Sequence, residues 1–295
     1  MNTGAAESRL VPESRLGGFF MARKNNSNSE ITIQKWIKDG RGAGSGKDYK
    51  PWLTVRDVSS EGRSHRIFGH KTQRTHHLLS DLELAVFLLL EWHPETEDIR
   101  EQFPLRLEDT QALAMDARIS HPAYQGVTQI MTSDFLVTTG NLQQPKFALQ
   151  AKYSESLQDA RTIEKLELER RYWGQKSIPW FLVTENDIPT VISQNISWLY
   201  PAQREQLDTN SAGERVALYA YHFKQSPQSS VIDIAKQLDV AYSLHAGQSL
   251  LEIRQLLANR YFLFDIFKPF RTINAGEITI GDTQALTEAL RVSNQ

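Results

Sequence analysis

Residues 127–138, Val-Thr-Gln-Ile-Met-Thr-Ser-Asp-Phe-Leu-Val-Thr, and residues 146–153, Lys-Phe-Ala-Leu-Gln-Ala-Lys-Tyr, decide the fold. Both runs mix β-branched, aromatic and polar residues, and Gly140-Asn141 lies between them, so they read as two strands joined by a turn. Downstream, Leu157 to Trp173 reads as a long charged helix and Ile178-Pro179-Trp180-Phe181-Leu182-Val183 as a further strand. Upstream, Ser80-Asp81-Leu82-Glu83 opens a helix that runs to about Trp92, with Ser80 as a natural N-cap. Leu84 to Leu90 is apolar all round, which predicts that this helix is mostly buried. Helix, hairpin, helix, strand is an α/β pattern.

The flanks complete the layout. Ile31 to Lys38 reads as a short amphipathic helix ending at Gly40, followed by Arg41-Gly42-Ala43-Gly44-Ser45-Gly46-Lys47. This is not a phosphate-binding loop of the Walker type. The motif needs glycine where Arg41 stands, and Ser or Thr where Asp48 follows Lys47. It reads instead as a flexible basic loop able to touch a nucleic-acid backbone. Residues 1–20 hold no apolar core of a signal peptide and read as a flexible extension, with Met21 an alternative start. In the second half, Val231 to Leu238 and Ser249 to Ala258 read as helices and Tyr261 to Phe267 as an aromatic strand. That order is compatible with a winged-helix module, with a linker between Glu185 and about Ser229.

Composition narrows the function classes. A chain of 295 residues suggests about two domains, and 40 % apolar with 23 % charged residues is ordinary for a globular protein. With no cysteine, disulfides, thiolate metal sites and cysteine nucleophiles are excluded. The longest apolar run, Leu84 to Leu90, is far short of the ~20 residues of a membrane helix. The small net charge of −2 hides polarity: residues 31–77 carry ten Lys/Arg against four Asp/Glu, and residues 81–116 carry ten Asp/Glu against two Arg. A cationic segment beside an anionic one suits a protein that attracts a polyanion and binds metal cations; two solvated faces of opposite sign are the plainer account.

One constellation carries chemistry. Strand alternation points Gln150 and Lys152 to one side while Leu149 and Ala151 face the other layer. Asp134, on the preceding strand, can sit beside them after the turn. Glu83 shares a helical face with Val86, Phe87 and Leu90, an expensive place for a carboxylate unless it is paired or binds a cation. Two carboxylates holding Mg²⁺, with a lysine supporting the nucleophile and the developing charge, are what phosphodiester hydrolysis needs. Gln150 occupies a position that often carries a third carboxylate, and its neutral amide lowers affinity for a second ion. Each residue also has a structural account: Glu83 completes a capping box with Ser80, Asp134 is a turn residue, Lys152 a solvated strand residue.

Here the sequence resembles a family. Residues 41–53, 62–66, 76–83, Ser133-Asp134-Phe135-Leu136-Val137 and 165–173 look like TnsA, the endonuclease subunit of a bacterial heteromeric transposase. The resemblance implies an N-terminal restriction-endonuclease-like domain (21–188) and a C-terminal winged-helix-like domain (189–295). It matches Glu83 and Asp134 to metal ligands, Lys152 to the catalytic lysine, and Gln150 to the family's own departure from the usual acid. It also implies a cytoplasmic, Mg²⁺-dependent enzyme, with Mn²⁺ substituting and one or two ions bound. Such an enzyme cuts the 5′, non-transferred strands of transposon ends beside the transposase TnsB. The C-terminal domain would meet the ATP-dependent regulator TnsC.

Arg41, Lys47, Arg63, His65, Arg66, His76 and His77 are the expected DNA contacts, with helix-entry packing the alternative for the last two. Trp52, Trp92, Trp173, Trp180 and Trp198 read as core or interface aromatics. Glu164, Lys165, Glu167, Glu169, Arg170 and Arg171 read as a solvated helical face, or as an edge along DNA. Two other functions compete: a stand-alone restriction or repair nuclease with the same site, and a non-enzymatic adaptor whose carboxylates are structural.

Overall fold

The computed structural model describes residues 29–58, 63–204 and 209–281. The expected extension at 1–20, Gly62 and the end of the second domain lie outside them. In chain order the elements are α1 (Glu30–Lys38), β1 (His65–Gly69), β2 (Arg74–Leu78), α2 (Asp81–Trp92), β3 (Thr96–Pro104), α3 (Leu107–Ala117), β4 (Ala123–Tyr124), β5 (Val127–Thr128), β6 (Thr132–Thr139), β7 (Lys146–Ala151), α4 (Ala160–Gln175) and β8 (Trp180–Val183). Then follow α5 (Thr190–Leu199), α6 (Thr209–Gln225), α7 (Val231–Ala241), α8 (Gln248–Ala258), β9 (Phe262–Leu263) and β10 (Thr279–Ile280).

The α/β reading holds. Four strands form one sheet in the order β3-β6-β7-β8, antiparallel except for the parallel pair β7–β8. Phe135 lies opposite Leu149 and Val137 opposite Phe147. Alternation then sorts the side chains by face. Phe135, Val137, Leu149 and Ala151 pack under α2 and α5 with Phe87 and Ile196. Leu136 and Ala148 pack on the other face against Leu113 of α3 and Leu168, Tyr172 and Trp173 of α4. Asp134, Gln150 and Lys152 keep the parity of Leu136 and Ala148, at the end of the sheet where the helices leave room.

A third core gathers α6, α7 and α8 around Tyr219, Ile234, Ile253 and Phe262. α5 serves two cores: Ile192 and Ile196 enter the first and Leu199 the third. Asn195 on the same helix donates to the carbonyls of Ile266 (2.9 Å) and Lys268 (2.8 Å) and accepts from the Phe270 amide (3.2 Å).

Four expectations need correction. The stretch expected to be a linker holds α5 and α6. Ile192, Ile196 and Leu199 recur at helical spacing and are buried, so the first part of this stretch packs as a helix. The first predicted strand is broken at Gln129–Met131, because β4 and β5 form their own small hairpin and the Met131 carbonyl accepts from Leu105 N. The aromatic strand shrinks to Phe262–Leu263; beyond it Asp265 caps a turn, its side chain accepting from Phe267 N and its carbonyl from Lys268 N. The glycine-rich loop is tied down: Gly42 N donates to Lys50 O, Lys50 N to Ala43 O, and Gly46 N to the Asp98 carboxylate. A Cβ on Gly42 would stand 2.2 Å from the Pro104 ring, so only glycine allows that approach.

The N-terminal elements read least well from sequence are β1, β2, β3 and α3. β3, Thr-Glu-Asp-Ile-Arg-Glu-Gln-Phe-Pro, is charged and does not alternate, as an edge strand tolerates.

Glu91, near the C-terminus of α2, gives a first prediction. It is buried, accepts from the His70 and Lys71 amides, and has one oxygen without a partner. Burial pushes its carboxyl up to about 7 from the ordinary 4.5. The folded protein therefore keeps a proton that the unfolded chain releases above pH 4.5, so this group lowers stability as pH rises from about 4.5 to 7. Denaturant melts of Glu91→Gln and wild type at pH 5 and pH 7.5 should show the variant relatively more stable at the higher pH. Parallel pH slopes would count against it.

Candidate active site

A cavity of about 460 Å³ opens where the N-terminus of α2 meets β3, β6, β7 and α4. Glu83, Gln102, Asp134, Gln150, Lys152, Lys165 and Glu169 line it. Three distant sequence segments therefore converge, as the strand and helix patterns predict for Glu83, Asp134 and Lys152.

Local chemistry places each group. Ser80 caps α2 by accepting from Glu83 N (3.0 Å), and the Glu83 carboxylate turns back to accept from Leu79 N (2.9 Å) and the Ser80 hydroxyl (3.3 Å). Ser80 is thus the N-cap, but the reciprocal bond of a capping box to Ser80 N is not made, and the Glu83 carboxylate is buried and lines the cavity. Asp134 accepts from Ala151 N (2.8 Å) through Oδ2, which also lies 3.8 Å from Lys152 Nζ. Lys152 is anchored by its own amide on Val183 O at 3.0 Å, at the end of the β7–β8 pair.

Burial and the nearby Asp134 charge push Glu83 up to about 8. Burial opposes the Lys152 ammonium, but Asp134 and Glu83 outweigh it and hold its pKa above the ordinary lysine value. Lys152 therefore keeps its proton at neutral pH, which suits it to donate charge and a hydrogen bond and unsuits it as a base. Two buried carboxylates that repel each other are relieved by a cation. The donors are hard oxygens, which is what Mg²⁺ takes, usually one or two carboxylates with waters completing its shell. Among the described residues no three His, Asp or Glu side chains cluster as a metal cage. Gln150 stands where a third acid would complete one. Its amide oxygen accepts from Asp134 N (3.1 Å) and has a second lone pair besides.

Two site residues escape the sequence reading. Glu169, expected on a solvated face, is buried, because Ser133 and Trp180 from neighbouring strands donate to it at 2.6 and 2.9 Å. Burial holds its carboxyl up to about 8. Gln102 of β3 is the other. It carries no local signal, since an amide in a charged edge strand looks like a surface residue.

Over 274 residues the chain is 48 % identical to the transposition protein TnsA of transposon Tn7 from Escherichia coli, covering 93 % of this chain and all of that protein. The chain belongs to the TnsA family. Residues 93–185 match the model described as the TnsA-like endonuclease N-terminal domain, and residues 187–266 match the TnsA endonuclease C-terminal domain. It is thus a transposition endonuclease, a hydrolase acting on DNA. No helix among the described residues is long and apolar enough to cross a membrane.

On this TnsA-family scaffold the seven expected DNA contacts divide. His76 is a correction: it is fully buried, held between Thr72 (2.6 Å) and Glu101 (2.8 Å), and out of reach of a phosphate. Arg41 is engaged by Asp57 (2.7 Å) and the Trp52 carbonyl (2.8 Å) and lies over the Trp36 ring. His77 is half-buried, its amide on Glu101 and its ring accepting from Val55 N. Arg63 and His65 pair with the exposed Asp81. Such surface pairs are weak and can yield to a phosphate. Lys47 and Arg66 are exposed, and among the described residues no carboxylate pairs with either.

Proposed function

We propose that this chain cuts the 5′, non-transferred strands at transposon ends in a Mg²⁺-dependent reaction. Glu83 and Asp134 hold the metal, the Gln150 oxygen adds a weaker ligand, and Lys152 serves as the catalytic cation. The observation that carries this is the convergence of Glu83, Asp134 and the Lys152 ammonium on one open cavity. When bound, the metal polarises the phosphodiester and lowers the pKa of the attacking water. The protonated Lys152 orients that water and offsets negative charge growing on the phosphate oxygens. The neutral Gln150 limits how strongly a second ion is held.

Lys47, Arg63, His65 and Arg66 supply the phosphate contacts, positioning DNA without reading its sequence. The function divides between a nuclease domain at 21–188 and a winged-helix-like domain at 189–295, for which α6, α7, α8 and the β9–β10 hairpin give the right order of elements. Identity to a Tn7 transposition protein supports a place beside a TnsB-type transposase and a TnsC-type ATP-dependent regulator in the bacterial cytoplasm, the regulator meeting the C-terminal domain.

Cleavage of transposon-end DNA in the complex assembled with both partners, with and without Mg²⁺, tests the proposal. Lys152→Ala should lower the cleavage rate by about 10²-fold, the loss typical of one transition-state donor, while complex assembly is unchanged. Wild-type rates in that variant, or cutting in EDTA, would overturn it. Efficient cutting without partners would point to a stand-alone nuclease.

A further inference from the structure

Among the described residues, seven non-glycine residues adopt positive φ, and six of them lie in turns or helix caps. Gln102, at φ 49°, is the one inside a strand. Left-handed backbone in a non-glycine residue costs of order 1–3 kcal/mol and persists only where the surroundings impose it. Here β3 pairs with β6 through Glu101–Phe135 and Phe103–Ser133, so the strained residue falls opposite Asp134. Its carbonyl accepts from Trp52 N (3.2 Å), which anchors the distorted backbone.

The distortion sends a buried amide into the cavity. Gln102 Nε2 donates to Glu83 Oε2 (3.2 Å) and, at longer range, to Asp134 Oδ1 (3.5 Å). Its Oε1 accepts from Thr132 Oγ1 at 3.4 Å. The reverse orientation would aim a carbonyl oxygen at two carboxylates while the hydroxyl lost its acceptor, so the nitrogen must face the acids. One neutral donor is thereby shared between two groups carried on separate elements, α2 and β6.

We infer that Gln102 is a positioning residue, whose amide fixes the spacing of Glu83 and Asp134 for a divalent cation. The inference rests on the metal reading proposed above. Metal ligands are commonly oriented by such hydrogen-bonding partners, and losing one costs about 10–100-fold in affinity. Glutamine fits the role better than an acid or a base: it donates to both carboxylates without adding charge.

Two variants of the full chain separate this role from a merely structural one. Gln102→Gly removes the amide while glycine relaxes at φ 49°, so the metal-free melting temperature should stay within about 3 °C of wild type. Gln102→Met keeps volume and removes the donor, and it decides the matter if the glycine variant fails to fold. Mn²⁺ titrations followed by electron paramagnetic resonance should show affinity lower by about 10–100-fold in both. Wild-type Mn²⁺ affinity in either folded variant overturns the role of Gln102. Failure of wild type to take up Mn²⁺ in a manner lost in Asp134→Asn overturns the metal reading, and this role with it.

Discussion

Asp134→Asn should lower strand cleavage by about 10³-fold or more, while the protein folds and joins its partners normally. The substitution is nearly isosteric. The Asn oxygen still accepts from Ala151 N, so the β6–β7 junction keeps its hydrogen bond. Lost are the charge facing Lys152 and one of the two proposed metal-holding carboxylates. Burial, the larger cause of the raised Glu83 pKa, persists in the variant. Single-turnover cutting of 5′ strands in the assembled complex, beside a partner pull-down, measures both quantities. Undiminished cutting would remove Asp134 from the mechanism.

Glu101→Ala should destabilise the fold by about 3–5 kcal/mol, since it removes one partner of a buried ion pair and strands the other. Glu101 is fully buried in β3 and accepts from both terminal nitrogens of Arg74, from His76 Nδ1 (2.8 Å) and from His77 N (3.1 Å). Burial works against its charge, but His76 and Arg74 prevail and hold its carboxyl down to about 2. The stability it contributes is thus fully present above its ordinary value of 4.5 and is lost as pH falls through about 2. Burial lowers the His76 pKa, so at neutral pH the ring is uncharged, with Nδ1–H on Glu101 and Nε2 accepting from Thr72. Urea melts at pH 7 measure the loss. A change under about 1 kcal/mol would show that the network is dispensable, as only exposed pairs are. Because this network pins the β1–β2 hairpin to β3 just ahead of α2, loosening it should also blunt cleavage.

The same residues explain the opposite charges of residues 31–77 and 81–116. Some of those charges face each other: Arg74 meets Glu101, and Arg63 and His65 meet Asp81. Attraction between neighbouring elements accounts for part of the polarity, and Lys35, Lys38, Lys47, Lys50, Arg56 and Arg66 remain exposed toward solvent.

Short-range rules were enough for much of the site. A cap at Ser80, a period of two along β7 and a turn near Gly140 are local properties, and each is written in adjacent residues. They placed Glu83 at a buried helix start and turned Gln150 and Lys152 to one side, with Leu149 and Ala151 to the other. They failed where neighbours in space overrule neighbours in sequence. Glu169 sits in a charged helix and looks solvated, until Ser133 and Trp180 arrive from other strands to enclose it. His76 looks like a basic contact, until Glu101 and Thr72 take both ring nitrogens. Gln102 belongs with these: its strained φ and shared amide exist only because β3 is held between Trp52, Thr132 and the two acids. Hydrogen-bonded periodicity is a property of the chain, whereas burial and partnership belong to the assembled layers, and only those layers could turn a surface-like amide inward.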